Sequence, residues 1–246
     1  MPDITRMTSV LFAGLLHALT VCAQVASPPA PPPAGNPIIK SADLQSDAAI
    51  LRHAYEALHP GLYRYSSKAE MDAKFETLRK AFSHDQSLRD AYLAFSVFAA
   101  QVKCGHTYPN FFNQKREIAA LLFQGQDRVP FYFRWFGHRM IVTGDFTPDH
   151  QLPRGTEILS INGTPVRDIL ARLMTIARAD GSNDAKRVAY LEVTGDSQYE
   201  AFDVYFPMFF PQGSRSPSRH SSEEDVLQHR DDEDVRGQAV NALQIK

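Results

Sequence analysis

Residues 27–37 (SPPAPPPAGNP) place six prolines in eleven residues, and this run separates an N-terminal leader from the part of the chain able to fold. Proline has no N–H to donate and a fixed φ, so the stretch is predicted to be an extended, solvated spacer, with residues 24–40 assigned to the linker. Ahead of it, residues 10–21 (VLFAGLLHALTV) form an apolar run with Arg6 on one side and Cys22-Ala23-Gln24 on the other. That run is shorter than the about 20 residues a membrane-spanning helix needs. Its length and its small-residue flank match a signal peptide over residues 1–23, cut before Gln24. The expectation is an exported protein, periplasmic or secreted, with no stable membrane insertion after cleavage. A lipid anchor on Cys22 is the lesser alternative, because Val21 is bulky for such a processing site. Cys104 is then the single remaining cysteine, so no intramolecular disulfide staples the fold.

The other end is equally restrictive. Residues 214–222 (SRSPSRHSS) are followed by acidic blocks at 223–225 and 231–234. Such a segment buries too little apolar surface to offset its ordering entropy, and residues 212–246 are expected to be a disordered polar tail. About 170 residues remain for one domain or two small ones. With 26 Lys and Arg against 28 Asp and Glu, the net charge of −2 offers no broad basic footprint, which argues against a nucleic-acid partner.

Helical periodicity opens the folding part. A helix from about Ser41, capped by Ser41 or Asp43, carries Ala48, Leu51, Tyr55 and Leu58 on one side and stops at His59-Pro60-Gly61. Ser67 and Glu70 have capping-box spacing ahead of Met71, Phe75, Leu78 and Phe82. Ser87 and Asp90 repeat the start signal before Leu88, Tyr92, Phe95, Ala99 and Val102. Gly105 is predicted to take the left-handed conformation that ends this third helix, leaving His106, Thr107 and Tyr108 projecting from it. Residues 41–112 thus form a small helical bundle.

The period then changes. Residues 129–136 (VPFYFRWF) and 139–146 (RMIVTGDF) read as strands joined at Gly137-His138, and 156–161 (TEILSI) as a third, closed by Asn162-Gly163. Thr164 is expected to cap a helix with Pro165 in its first turn, and Val166, Ile169, Leu170, Leu173 and Ile176 turned to a core. Residues 185–193 read as helix or strand, and 201–210 (AFDVYFPMFF) as a strand. The fold class is α+β.

The string LPRGTEILSINGTPV at 152–166 resembles the second half of a PDZ-like domain, with Thr156-Glu157 where an Asp usually follows the glycine. Together with His59-Pro60-Gly61-Leu62-Tyr63 and Cys104-Gly105-His106-Thr107, its order is similar to that in tail-specific (C-terminal processing) serine peptidases, in the tricorn-like branch. The resemblance covers about residues 43–210. It implies a PDZ-like module at 113–180, a lead-in at 181–211 to a catalytic domain, and proteolysis of peptides or unfolded proteins through an acyl-serine intermediate. It also implies that His106 is the general base, a role that suits an imidazole titrating near working pH.

The family's serine lies in an α/β domain after the PDZ-like module, and no glycine-rich nucleophile turn follows residue 210 here. The expectation is therefore a truncated or frame-shifted form of a longer peptidase, inactive alone. The alternative is a non-enzymatic PDZ-like module that binds a peptide by adding it to a sheet edge. Serines near lysines at 66–68 and 182–186 are explained by caps and loops. The histidines show no metalloprotease spacing, no phosphate-binding glycine loop occurs, and neither a metal nor a cofactor is expected. Cys104 as a thiol nucleophile lacks a third, orienting group in the sequence; the expected role is a small buried residue at a helix end.

Overall fold

The computed structural model describes residues 36–123, 128–148, 150–211 and 243–245. The predicted leader, the linker up to residue 35 and the tail over 212–242 lie outside the described residues. Residues 36–40, assigned above to the linker, belong instead to the folded body. Strand β1 (Ile38–Ile39) pairs antiparallel with β2 (Gln86–Ser87), and Leu88 N–H donates to Pro37 O at 2.8 Å. Two β-branched side chains after the last proline favour this extended pairing.

Helix α1 (Ser41–Leu58) has Lys40 at the N-cap, one residue before Ser41 and three before Asp43, the two predicted caps, and no side-chain cap of its own. Asp85 replaces one, accepting from Ser41 N–H at 2.9 Å and from Lys40 Nζ at 2.8 Å. Leu44 and Ala48 are buried on this helix, whereas Leu58, expected in the apolar stripe, is exposed in the last turn. Helix α2 (Lys68–Ala81) starts with the predicted capping box: Ser67 Oγ accepts from Glu70 N–H, and Glu70 accepts from Ser67 N–H. Met71, Phe75, Leu78 and, just past its end, Phe82 are buried. Helix α3 (Leu88–Gln101) starts at Ser87, whose side chain accepts from Asp90 N–H as its spacing predicts.

A 3-10 turn (Phe111–Asn113) and helix α4 (Arg116–Phe123), neither marked by a sequence signal, lead into the sheet. β3 (Phe131–Phe136) and β4 (Arg139–Asp145) form the predicted hairpin. β5 (Glu157–Ile161) pairs antiparallel with β4. Asn162 and Gly163 both have positive φ, 52° and 79°, and reverse the chain tightly. Thr164 is consequently not a helix cap: β6 (Thr164–Pro165) returns along β5, with Ile161 opposite Thr164, and Pro165 precedes α5 (Val166–Leu173). The predicted inward residues Val166, Ile169, Leu170, Leu173 and Ile176 are all buried.

Helix α6 (Asp184–Tyr190) follows, capped by Asn183, which accepts from Lys186 N–H. Residues 201–209, expected as a strand, form helix α7 (Ala201–Phe209) with Pro207 inside it. Phe202 and Val204–Phe206 are buried, so apolar residues face protein on every side and no helical period shows in the sequence. Phe202 meets Phe133 of β3 edge-on, with ring centroids 4.8 Å apart. The last correction concerns the tail: β7 (Leu243–Ile245) pairs antiparallel with β5 instead of belonging to a wholly unstructured end. Strand addition satisfies backbone groups independently of the polar composition that precedes it.

Two apolar clusters hold these elements. One unites Leu44, Met71, Phe75, Leu78, Phe82, Phe98 and Val102 among α1–α3. The other joins the sheet, α4, α5 and α7 and takes in Tyr92. Helix α3 belongs to both, and all the described residues fall in one compact unit. The architecture is α+β; among the described residues no helix is long and apolar enough to cross a membrane.

Candidate active-site cleft

α3 ends at Gln101, and the residue with left-handed backbone is Lys103 (φ 59°), not the predicted Gly105. Gly105 serves a different need. A Cβ there would stand 3.0 Å from Asp180 Oδ2 and 3.6 Å from Lys186 Nζ, so its lack of a side chain admits the carboxylate. Three hydrogen bonds fasten this turn to the segment beyond α5. Gly105 N–H donates to Asp180 Oδ1 at 3.0 Å, Gly181 N–H donates to Lys103 O at 2.9 Å, and Arg178 donates to Gly105 O at 3.2 Å. The Arg178 guanidinium also lies 3.4 Å from the centroid of the Tyr108 ring.

Thr107 N–H donates back to Cys104 O at 3.0 Å, which places His106 at the tip of a tight turn. His106 is exposed there, while its neighbour Thr107 is buried, so the predicted trio does not project together. Thr107 Oγ1 lies 2.8 Å from Nε2 of His59, the residue that ends α1. His59 Nδ1 accepts from Gly61 N–H at 3.2 Å, so Nε2 carries the hydrogen and donates it to the threonine hydroxyl. The segments 59–63 and 104–107, 41 residues apart at their nearest ends, are thereby joined.

Together they line a cleft of about 910 Å³ that runs from His59 through Tyr65 to Cys104, His106 and Asp180. Cys104 is a free, half-buried thiol that packs against the helical cluster. Its Sγ, a ring nitrogen of His106 and a carboxylate oxygen of Asp180 all lie within 4.8 Å of one another. The Gly105 N–H holds the Asp180 carboxyl below the ordinary carboxylate range, helped by Lys186, His106 and Arg64 nearby.

Among the described residues, no serine lines the cleft. Of the serines near lysines in sequence, Ser66 accepts from Lys74 Nζ at 2.6 Å, and the same ammonium reaches Gln101 O at 3.0 Å. That bond ties the 59–67 loop to the end of α3. Lys68 pairs with Asp72 instead. Asp180 carried no site signal in the sequence: it stands 74 residues beyond His106, in an Asp-Gly turn that marks only a loop. No family model matches the chain, and neither the curated proteins nor the solved structures contain a match to it.

Proposed function

We propose that this chain carries the helical region and PDZ-like module of an exported serine peptidase of the tail-specific type, with His106 as the general base. The observation that supports the reading most is the joining of the 59–63 and 104–107 segments, the two short motifs of the resemblance, across one open cleft. His106 stands exposed on a turn held by three hydrogen bonds to the segment beyond α5, with a carboxylate in reach. A base so placed accepts a proton from a hydroxyl presented from the cleft side and returns it to the departing amine. In the family that this reading invokes, the nucleophile and its oxyanion donors are supplied by a separate α/β catalytic domain.

Alone, the chain is expected to leave unfolded proteins and peptides uncut. Joined to a catalytic domain of the family, it hydrolyses them, and His106→Ala lowers kcat by about 10²–10⁴-fold. Unchanged turnover in that variant would remove His106 from the reaction. Export is checked separately, by N-terminal sequencing of protein recovered from cells: the mature chain begins at Gln24, and an intact Met1 on cytoplasmic protein contradicts the leader assignment.

A second reading, a peptide-binding module without catalysis, is supported by β7. An extended segment adds antiparallel to β5, with Ile158 opposite Ile245 and Ile161 opposite Leu243. Strand addition of this kind is how PDZ-like modules take up peptides. Failure of the joined protein to turn over, with retained binding of labelled extended peptides, selects this reading.

A further inference from the structure

The cleft wall contains a donor set that general-base chemistry does not require. Cys104, His106 and Asp180 present a sulfur, an imidazole nitrogen and a carboxylate oxygen within 4.8 Å of one another. Two of the three come from one tight turn and the third from the segment bound to it, so their spacing is set by the backbone. We propose that these three side chains form a binding site for one borderline-soft divalent cation, Zn²⁺ by preference, with the fourth position open to the cleft.

The donor chemistry and the geometry agree. With one sulfur at about 2.3 Å and nitrogen and oxygen at about 2.0–2.2 Å, a tetrahedral zinc places its ligand atoms about 3.3–3.6 Å apart. Closing a gap of up to 4.8 Å therefore takes about 1.2–1.5 Å, within reach of side-chain rotation, since His106 and Asp180 are both exposed. A thiolate and a carboxylate together balance the charge of a divalent ion, and sulfur with imidazole selects zinc over magnesium or calcium. The Gly105 N–H bond to Asp180 Oδ1 orients the carboxylate in the way outer hydrogen bonds orient metal ligands.

Cations oppose the site, and their strength decides whether it can fill. Lys186 Nζ lies 3.9 Å from Asp180 Oδ2, and both side chains are about half exposed. Arg64 also acts on Asp180 through space. Exposed pairs of this length contribute little, and the lysine is free to swing into solvent. Three protein ligands with one open position match the catalytic type of zinc site more than the closed structural type. A bound ion also occupies the imidazole lone pair that His106 needs as a base, so the metal and the proton compete for one atom.

Co²⁺ titration of the reduced, metal-free full chain tests the site, because thiolate ligation produces an intense charge-transfer absorption. One equivalent is expected to saturate the signal, and Zn²⁺ to displace it. Cys104→Ser removes the charge-transfer absorption, and His106→Gln and Asp180→Asn each weaken binding by at least about 10-fold, the lower bound for losing even an outer-shell partner. Far-UV circular dichroism establishes that each variant is folded. If Cys104→Ser does not fold, the two exposed positions decide. The absence of saturable binding in the parent chain overturns the site, as does a signal that survives Cys104→Ser, or affinity unchanged in both His106→Gln and Asp180→Asn. The titration is read without turnover, and a failure to bind metal leaves the expected effect of His106→Ala on the joined, metal-free peptidase as it stands, so the two ideas fail separately.

Discussion

His106 and Thr107 are adjacent in the chain and opposite in what they do for it. The imidazole is exposed at the turn's tip, whereas the threonine is 7% exposed and takes the His59 hydrogen bond. Thr107→Val keeps the shape but leaves the His59 N–H without its acceptor, and is expected to cost about 1–2 kcal/mol. His106→Ala is expected to change stability by no more than about 0.5 kcal/mol, as for surface positions clear of special features. Urea unfolding of the two variants checks the contrast; equal losses would mean that His106 is a structural residue. At this scale the sequence showed an accessible histidine just past a helix end, although Lys103 and not Gly105 takes the left-handed backbone there. It did not show Asp180, since hydrogen bonds between segments 75 residues apart leave no local pattern.

Element boundaries were legible at α2 and α3, where a side chain caps the helix in a recognised spacing. The Ser67–Glu70 and Ser87–Asp90 pairs mark α2 and α3 correctly because both partners lie within one turn. α1 was misplaced at its start because Asp85, 44 residues from Ser41, serves its first N–H. α7 was misread because burial on all sides erases the period and Pro207 argues against a helix. The α2 cap gives a test with a pH signature. Ser67→Ala is expected to cost about 1 kcal/mol at pH 7. Hydrogen bonds from the Ser67 N–H and hydroxyl hold Glu70 below its ordinary value of 4.5. A carboxylate whose folded pKa is depressed adds stability above the unfolded pKa and loses it as pH falls through the folded one. The difference between the parent chain and Ser67→Ala should therefore shrink in unfolding curves taken below pH 4. A difference independent of pH would show that the Glu70 partner contributes nothing.

Hydrophobic periodicity suggested a helical bundle and a separate sheet module, but α3 makes them one body. Its Phe98 lies against Tyr55 and Phe75 in the helical cluster, while its Tyr92 packs on Phe123 and Tyr205 in the other. Tyr205 Oη reaches back to Ser96 Oγ of α3 at 3.3 Å, deep in the interior. A helix shared in this way cannot lose one side without exposing the other. The cleft depends on that sharing, because its walls come from the loop after α1, the end of α3 and the segment after α5. Phe98→Ala and Phe202→Ala strike opposite clusters, and each is expected to cost about 3–5 kcal/mol, the range for deleting a buried aromatic ring. Trp135 is the only tryptophan in the chain and lies in the sheet cluster, donating to Leu191 O at 3.0 Å. Its fluorescence reports the sheet side, whereas far-UV circular dichroism is dominated by the helices. In both variants the two signals should move together, as one cooperative transition at lower denaturant concentration. Phe98→Ala that melts the helical signal while Trp135 stays native would show two independently folding domains, with the candidate cleft lying across a boundary instead of within one core.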